Sequence, residues 1–472
     1  MAVAMCQTRG TMAMMTGRTE GFGRALEDEF LELARSLGGD VASRARGDAY
    51  LARTNALYHG KPCSWAFTPK IFDRDQIATL ADAAETMGRI MEKVTCTFCA
   101  DERVRRLFNL PPALERLALV PGGYERQIPL ARVDVFFDEE TGDYQFCELN
   151  TDGSAGMTNT VEVTRAIQQS ETYRRFAARH PDIRTFDILN GAVDALLDTY
   201  ASWREGHPTA SERPAVAIVD YTESASLDEL EDILMLLSER GLYAQYVDIR
   251  TLRVGETTGV PRLMMDDGPI DLVYRRAVTS EVAERPCPGV DALTRAAAEG
   301  LACVAGGYRT WPCAAKTVFV ALYDPLMEEV LSPEELDFVR RHVPYTQQLA
   351  PESDLAPFAE RDRWIVKPAG GYNAVGVTAG RDCTQAEWES ALARTARANG
   401  VVQAYAPQYR TPVMRGGVLG PGEDPLAAEP MSNMEGLYLF NGRFGGVFTR
   451  CGTQSVIGEH THRLNMGCLV VG

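Results

Sequence analysis

The stretch that decides the reading of this chain is Arg132-Val-Asp134-Val-Phe-Phe137, a turn through 138–143, then Tyr144-Gln-Phe-Cys-Glu148-Leu-Asn150-Thr-Asp152-Gly153. It predicts a β-hairpin. Strict alternation puts Arg132, Asp134 and Phe136 on one face of the first arm, opposite Val133, Val135 and Phe137. The Glu-Glu-Thr-Gly-Asp segment supplies the turn. On the returning arm Tyr144, Phe146, Glu148 and Asn150 are expected to share a face, opposite Gln145, Cys147 and Leu149. Asp134, Glu148 and Asn150 then bring three hard oxygen donors together across paired strands, a set that suits Mg²⁺. Taken alone, the pattern is equally a solvated hairpin with polar faces, so the rest of the chain has to decide.

The chain has 472 residues, more than one ordinary core accommodates. A net charge of −17 argues against a polyanionic partner such as nucleic acid, and no basic cluster interleaved with aromatics contradicts it. Residues 1–17 lack the charged start and apolar core of a signal peptide. No apolar run approaches the roughly 20 residues of a membrane span. Eleven scattered cysteines read as free thiols of a reducing cytoplasm. Cys96-Thr-Phe-Cys99 has no second pair at zinc spacing and reads as buried helix thiols.

Residues 20–106 carry helical stripes, and 161–180 and 186–203 are helical by period. Ala215-Val-Ala-Ile-Val-Asp220 opens a different pattern: strand, helix 227–240, strand 243–249, strand 271–275. That is a parallel α/β unit without a dinucleotide-binding glycine motif. Helices are expected over 314–326 and from the N-cap Ser332. A strand–loop–strand–helix–strand unit spans 364–405. Segment 410–432 is long and rich in Gly and Pro, which marks a functional or mobile loop. The final strands are 436–440 and 445–450.

Trp364-Ile-Val-Lys367-Pro368 leads into Gly370, Gly371 and Gly376. Small residues there let backbone N–H groups approach a triphosphate, with Lys367 as a compact positive charge. The same motif also occurs as a plain hairpin turn. Lys316, in an apolar helical context, is either a second phosphate ligand or a surface lysine lying along its neighbours. Gln403-Ala404-Tyr405 ends a strand at a position that suits a hinge whose backbone amide and carbonyl read an adenine edge. Arg450 ends a late strand, where a guanidinium would meet a transferring phosphoryl group.

Together these pieces resemble the circularly permuted ATP-grasp proteins, specifically the glutathionylspermidine synthase-like group. The resemblance runs from about Arg132 to Arg450, and its most specific parts are RxD…ExNxD (Arg132, Asp134, Glu148, Asn150, Asp152) and Lys316…His342-Val-Pro…Lys367-Pro. It implies an ATP-grasp fold in permuted order, α/β (α+β) in class. The divisions would be a helical region 1–130, core hairpin and helices 131–205, an inserted Rossmann-like domain 206–310, a helical linker 311–362, a lid 363–405 and the last sheet strands 406–472.

The resemblance further implies ATP and two Mg²⁺ as cofactors. Asp134, Glu148 and Asn150 would hold metal, Lys316 and Lys367 would meet phosphates, and Gly370, Gly371 and Gly376 would belong to a flexible lid loop. Gln403, Ala404 and Tyr405 would border adenine. Arg132 and Arg450 would stabilise the transferred phosphoryl group, and Asp152 and Ser154 would orient a substrate. Arg275 and Arg276, at the end of a strand of the inserted domain, are candidates for a substrate carboxylate, with plain surface arginines as the alternative. This chain has Gly153-Ser-Ala-Gly156-Met where the group's namesake is more Ser-rich, and nothing before Arg132 reads as the amidase domain some members carry.

The expected activity is ATP-dependent ligation of a carboxylate to an amine through an acyl phosphate, acting on small molecules in the cytoplasm. Six histidines, none in a triad or HExxH, agree with chemistry done by positioning and charge. The alternatives are an ATP-binding regulator without turnover and a phosphotransferase.

Overall fold

The computed structural model describes residues 22–58, 60–371 and 374–472. Its centre is an antiparallel sheet. The hairpin arms Leu130–Phe137 and Tyr144–Asn150 form one side. Glu429–Phe440 pairs with the first arm, Arg443–Gly452 follows, and Leu464–Met466 is the far edge, while Arg410–Val413 pairs with the start of the long strand. An early hairpin and the end of the chain thus share one sheet. Beneath it Val133, Val135, Phe137, Leu149 and Leu437 pack on Met87, Met91 and Val94 of the helix Arg74–Ala100. Asp73 and Gln76 close a capping box at that helix's start. Each fully buried large apolar side chain contributes about 1.5–3 kcal/mol.

The hairpin corrects one expectation. Asp134 lies opposite Glu148 and Arg132 opposite Asn150, as alternation predicts, but the register shifts next to Asp134 and Val135 pairs with Phe146. The extra residue on the returning arm is Cys147. A bulge of this kind reverses the alternation beyond it. Tyr144 and Phe146 therefore join the core with Val135 and Phe137, while Cys147 packs with Phe136 and Met434 on the other side.

A second sheet is wholly parallel, in the order Cys303–Ala305, Leu272–Arg275, Val216–Asp220, Ala244–Asp248. Its helices include Leu227–Glu239 and Pro288–Glu299. Three of the four strands were readable; Cys303-Val-Ala was too short to stand out. An unexpected antiparallel unit, Arg253–Thr257 with Val260–Met265 and Gly268–Pro269, lies between them. Its two-residue turn places both Thr258 (φ 52°) and Gly259 (φ 80°) in the left-handed region, the geometry usually signalled by Asn-Gly.

A third sheet orders Thr346–Gln348, Val401–Ala404, Trp364–Lys367 and Thr378–Ala379, backed by helix Gln385–Arg397 through Trp388 and Leu392. Segment 410–432 is not a free loop. Its ends are strands, and its middle is tied to the N-terminal region: Val418 N–H donates to Asp48 at 3.2 Å, Gly416 N–H to the Trp65 carbonyl at 2.9 Å, and Arg44 to the Pro425 carbonyl at 3.3 Å. Cys96 is exposed and Cys99 half-buried, so the CxxC pair is not buried as expected; the stripe Met87, Met91, Val94, Phe98 takes the inner face of that helix. The leader reading for 1–17 falls outside the described residues. No described helix is long and apolar enough to cross a membrane.

Candidate functional site

The three sheets meet at a cleft with a volume of about 260 Å³. Its floor is the hairpin face of the central sheet. The third sheet covers one side through Ile365, Lys367 and Gln403, and the parallel sheet contributes Asp220 and Arg276 at its C-terminal ends. The C-terminal ends of parallel strands are where such sheets receive ligands.

Asp134 is fully buried between two arginines. Arg132 Nε donates to Oδ1 at 2.7 Å and Nη2 to Oδ2 at 3.0 Å, a two-pronged pair, while Arg450 Nη2 takes Oδ2 from the other side. Arg132 also donates to the Ala155 carbonyl at 2.6 Å. Burial works against the Arg132 charge, but Asp134 outweighs it and raises the guanidinium pKa. The arrangement depends on Gly436, which sits opposite Asp134 on the long strand. A Cβ there would lie 2.6 Å from Arg132 Cδ and 3.0 Å from Asp134 Oδ1.

Lys316 and Lys367 flank Glu148. Lys316 Nζ donates to Glu148 Oε1 at 2.6 Å and to the Gly371 carbonyl at 3.4 Å. The expected helix over 314–326 is broken into single turns, Trp311–Ala314 and Val318–Ala321. Ala315 turns extended, and Lys316 N–H donates to the Ala369 carbonyl at 2.8 Å. That break is what aims Lys316 into the cleft. Lys367 Nζ donates to the Cys147 carbonyl at 2.8 Å and to Gln403 Oε1 at 2.7 Å, and Gln403 is fixed in turn by donating to Thr346 at 2.9 Å. Burial lowers the Lys367 pKa. For Glu148 burial pushes upward, but Lys316, Lys367 and Arg450 together hold the carboxyl down to about 2.

Asp152 and Arg275 form a buried bolt between the central and parallel sheets. Arg275 Nη2 pairs with Asp152 Oδ1; Asp152 also accepts from Thr279 N–H at 2.7 Å and Thr310 Oγ1 at 2.8 Å. Arg275 Nε is spent on the Gly306 carbonyl at 2.6 Å, Nη1 on that of Ala277. Arg275 does not line the cleft, because strand alternation turns it away; Arg276, on the other side of the strand, does. Arg276 holds the Ser154 carbonyl and lies 3.7 Å from Glu229. Ser154 lines the cleft and donates to the Asn150 carbonyl at 2.5 Å. Asp220 faces Arg276; burial outweighs that guanidinium and pushes its carboxyl up to about 6.

After the strand Trp364–Lys367, Gly371 lines the cleft at φ 130°, and Gly376 has φ 75°. Gly370 packs over Trp311 without lining the cleft. Tyr372 and Asn373, inside the loop expected to be flexible, lie outside the described residues. Ala404 and Tyr405 border the cleft, but their N–H groups donate to the Tyr345 and Arg363 carbonyls, both at 2.8 Å. Neither amide is free to read a base as expected. The apolar lining of the cleft includes Phe136, Leu149, Ile365, Val377, Ala406 and Met434.

Sequence reading missed Asp220, Trp311, Glu459 and Arg463, all lining the cleft. Asp220 carried a signal, ending an apolar strand; the others carried none. The buried polar atoms without a partner among the described lining residues are Asn150 Nδ2, Arg276 Nε, Trp311 Nε1 and Arg450 Nε. Three of them, Arg276 Nε, Trp311 Nε1 and Arg450 Nε, are fixed donors, while the Asn150 amide presents either its nitrogen or its oxygen. Buried fixed donors without partners fit an anionic, oxygen-rich ligand such as a polyphosphate. Glu148 and Asn150 fit Mg²⁺ by donor type, the amide of Asn150 presenting its oxygen when turned over. Asp134 already accepts three guanidinium contacts, which leaves one acceptor site, on Oδ1, for a metal.

No family model matches the sequence, and no curated protein does. Among solved structures, the apo form of a glutathione synthetase-like effector from Globodera pallida superposes with a TM-score of 0.60 at 11% identity, covering 91% of this chain and 97% of that one. A putative γ-glutamylcysteine synthetase from Methylobacillus flagellatus gives a TM-score of 0.40 at 12% identity, over 82% and 88% of the two chains. This chain therefore shares the mixed α/β fold of the glutathione synthetase-like effector, along nearly the whole length of both.

Proposed function

We propose that this protein is an ATP-dependent carboxylate–amine ligase built on a circularly permuted ATP-grasp fold. The parallel unit would be the inserted substrate domain and the third sheet the nucleotide lid. The observation that carries this reading is the convergence of Lys316, Lys367, Arg132, Arg276 and Arg450 on one cleft, where Arg276 Nε, Trp311 Nε1 and Arg450 Nε are buried donors without a partner. The glutathione synthetase-like name of the structural neighbour points the same way.

ATP would lie with its base against Phe136, Ile365 and Met434 and its phosphates between Lys316 and Lys367. Glu148, Asn150 and Asp134 would hold Mg²⁺, which neutralises phosphate charge when bound. The acid's carboxylate oxygen attacks the γ-phosphorus and ADP leaves; Arg132 and Arg450 stabilise charge on the transferring group. The amine then attacks the acyl carbon, phosphate departs and the nitrogen loses a proton. Arg276 is suited to hold the acid, in place of Arg275. Small-molecule acid and amine are the partners of this reading.

The test is ADP release from ATP and Mg²⁺ across amino acids, thiol peptides and polyamines. Amine-dependent ADP with an amide product supports the ligase. ADP without amine dependence and a phosphorylated product means a phosphotransferase, and nucleotide binding without ADP means a regulator.

A further inference from the structure

Three guanidiniums gather around one ring. The Cζ atoms of Arg132, Arg450 and Arg463 lie 5.3, 5.4 and 5.8 Å from the centre of Phe448. Arg132 and Arg450 share Asp134 as counter-ion. Arg463 has its own: Nε donates to Glu459 Oε1 at 2.6 Å, and Nη2 pairs with the same oxygen. Among the described residues two carboxylates pair directly with these three guanidiniums, and the buried Arg450 Nε is left without a partner. Burial, then Arg450, lower the Arg463 pKa to about 10.

The position of Arg463 says which anion it meets. It directly precedes Leu464–Met466, the edge of the central sheet opposite the strand of Glu148. Glu148 and its lysines lie at one edge, Asp134 and Arg450 in the middle, and Arg463 at the other. Four strand spacings at about 4.8 Å put the two edge backbones roughly 19 Å apart, and the Arg463 side chain reaches back from its edge to Phe448, just beyond Arg450. Phosphoryl transfer needs attacking and leaving oxygens in line. Nucleotide entering from the lysine edge therefore places the acid on the far side of the transferring phosphorus, towards Arg463.

We infer that Arg463 reads a second anionic group on the acid substrate, and that Glu459 is the resident carboxylate which that group displaces. The acid is then a dianion, such as a dicarboxylate or an acidic amino acid. The inference rests on the ligase reading for the direction of the acid. A carboxylate replaces Glu459 on the guanidinium fork, and the displaced Glu459, whose side chain is 22% exposed, turns to solvent. An acid with one carboxylate leaves Glu459 in place and gains nothing from Arg463.

The experiment is calorimetric titration of the whole protein with glutarate, succinate and L-glutamate, and with the monoacids valerate and butyrate. Each is measured with and without Mg²⁺ and a non-hydrolysable ATP analogue. Wild type is expected to bind at least one diacid about tenfold more tightly than the monoacids. Arg463→Gln should erase the preference, Arg463→Lys should keep part of it, and Glu459→Gln should strengthen diacid binding several-fold. Equal binding of diacids and monoacids by wild type overturns the inference. So does loss of the preference in Glu459→Gln, which would make the pair structural. Arg463→Gln weakening the ATP analogue as much as the diacid also overturns it, assigning Arg463 to phosphate. A diacid preference without any binding of the analogue would instead refute the ligase reading and leave the acid subsite standing.

Discussion

Asp134 and Arg450 form an ion pair although 316 positions separate them in the chain. The pair exists because the long strand Glu429–Phe440 lies between the hairpin and the strand of Arg450, and because Gly436 on that strand leaves room above the sheet. A charge brought in by the end of the chain is thereby fixed against one brought in by its first hairpin.

Removing the Asp134 carboxylate leaves two buried guanidiniums without it. Breaking a buried pair by deleting one partner costs about 3–5 kcal/mol. Asp134→Ala is expected to lose that much in a urea titration. Stability within about 1 kcal/mol of wild type would show that Arg132 and Arg450 do not depend on Asp134.

Gly436→Ala tests the same pair without touching a charge. The new Cβ would meet Arg132 Cδ at 2.6 Å, so the guanidinium must move off Asp134. Overpacking of this kind costs roughly 1–3 kcal/mol. Denaturant unfolding should show that loss, and turnover should fall with it because Arg132 no longer faces the cleft in the same place. An alanine variant as active and as stable as wild type would contradict the close approach.

Lys367→Met keeps the side chain's bulk and removes its charge. Gln403 Oε1 and the Cys147 carbonyl lose their donor, a cost of about 1–3 kcal/mol. The larger effect falls on catalysis: loss of one preorganised charge at a transferring group typically lowers kcat by about 10²–10³. ADP release should drop on that scale while far-ultraviolet circular dichroism is unchanged. Full activity would remove Lys367 from the phosphate site.

These residues also mark what a single sequence could and could not reveal. Alternation alone placed Arg132, Asp134, Glu148 and Asn150 on one face, because the pairing there is regular. It misplaced Tyr144 and Phe146, since a one-residue bulge at Cys147 has no compositional sign. It put Lys316 on a helix, because Ala314, Ala315, Val318 and Phe319 are helix-compatible locally; the break at Ala315 is held by a hydrogen bond to Ala369, distant in sequence. Arg275 and Arg276 are adjacent and alike, and only strand direction tells the buried bolt from the cleft-facing residue. Arg463 lay beyond the last readable strand, and its role depends on Phe448 and Glu459 being near in space.

Arg275→Met separates those two arginines by experiment. With Arg275 gone, Asp152 keeps its hydrogen bonds from Thr279 and Thr310 but loses its buried countercharge. A stability loss of about 3–5 kcal/mol is expected. Arg276→Gln should act chiefly on KM for the acid. A stable, active Arg275→Met whose only defect is acid KM would return Arg275 to the substrate site.

Under the sheet, Glu435 provides a pH test of the fold itself. It is fully buried, and neither carboxylate oxygen has a hydrogen-bond partner. Burial pushes its pKa up to about 7, with Lys70 only partly opposing. Lys70 is itself shared with Glu27 at 3.2 Å and with Glu139. A carboxyl whose folded pKa lies above its unfolded value of 4.5 binds protons more tightly in the folded state. Stability from this group is therefore complete below about pH 4.5 and is lost as pH rises towards 7. Glu435→Gln has no proton to lose. The variant should match wild type near pH 4.5 and exceed it by roughly 2–3 kcal/mol at pH 8, as judged from the size of the shift. Urea unfolding at both pH values is the measurement. A gap that is constant with pH would mean that Glu435 does not titrate in this window, and a gap that shrinks as pH rises would reverse the sign of its coupling to the fold.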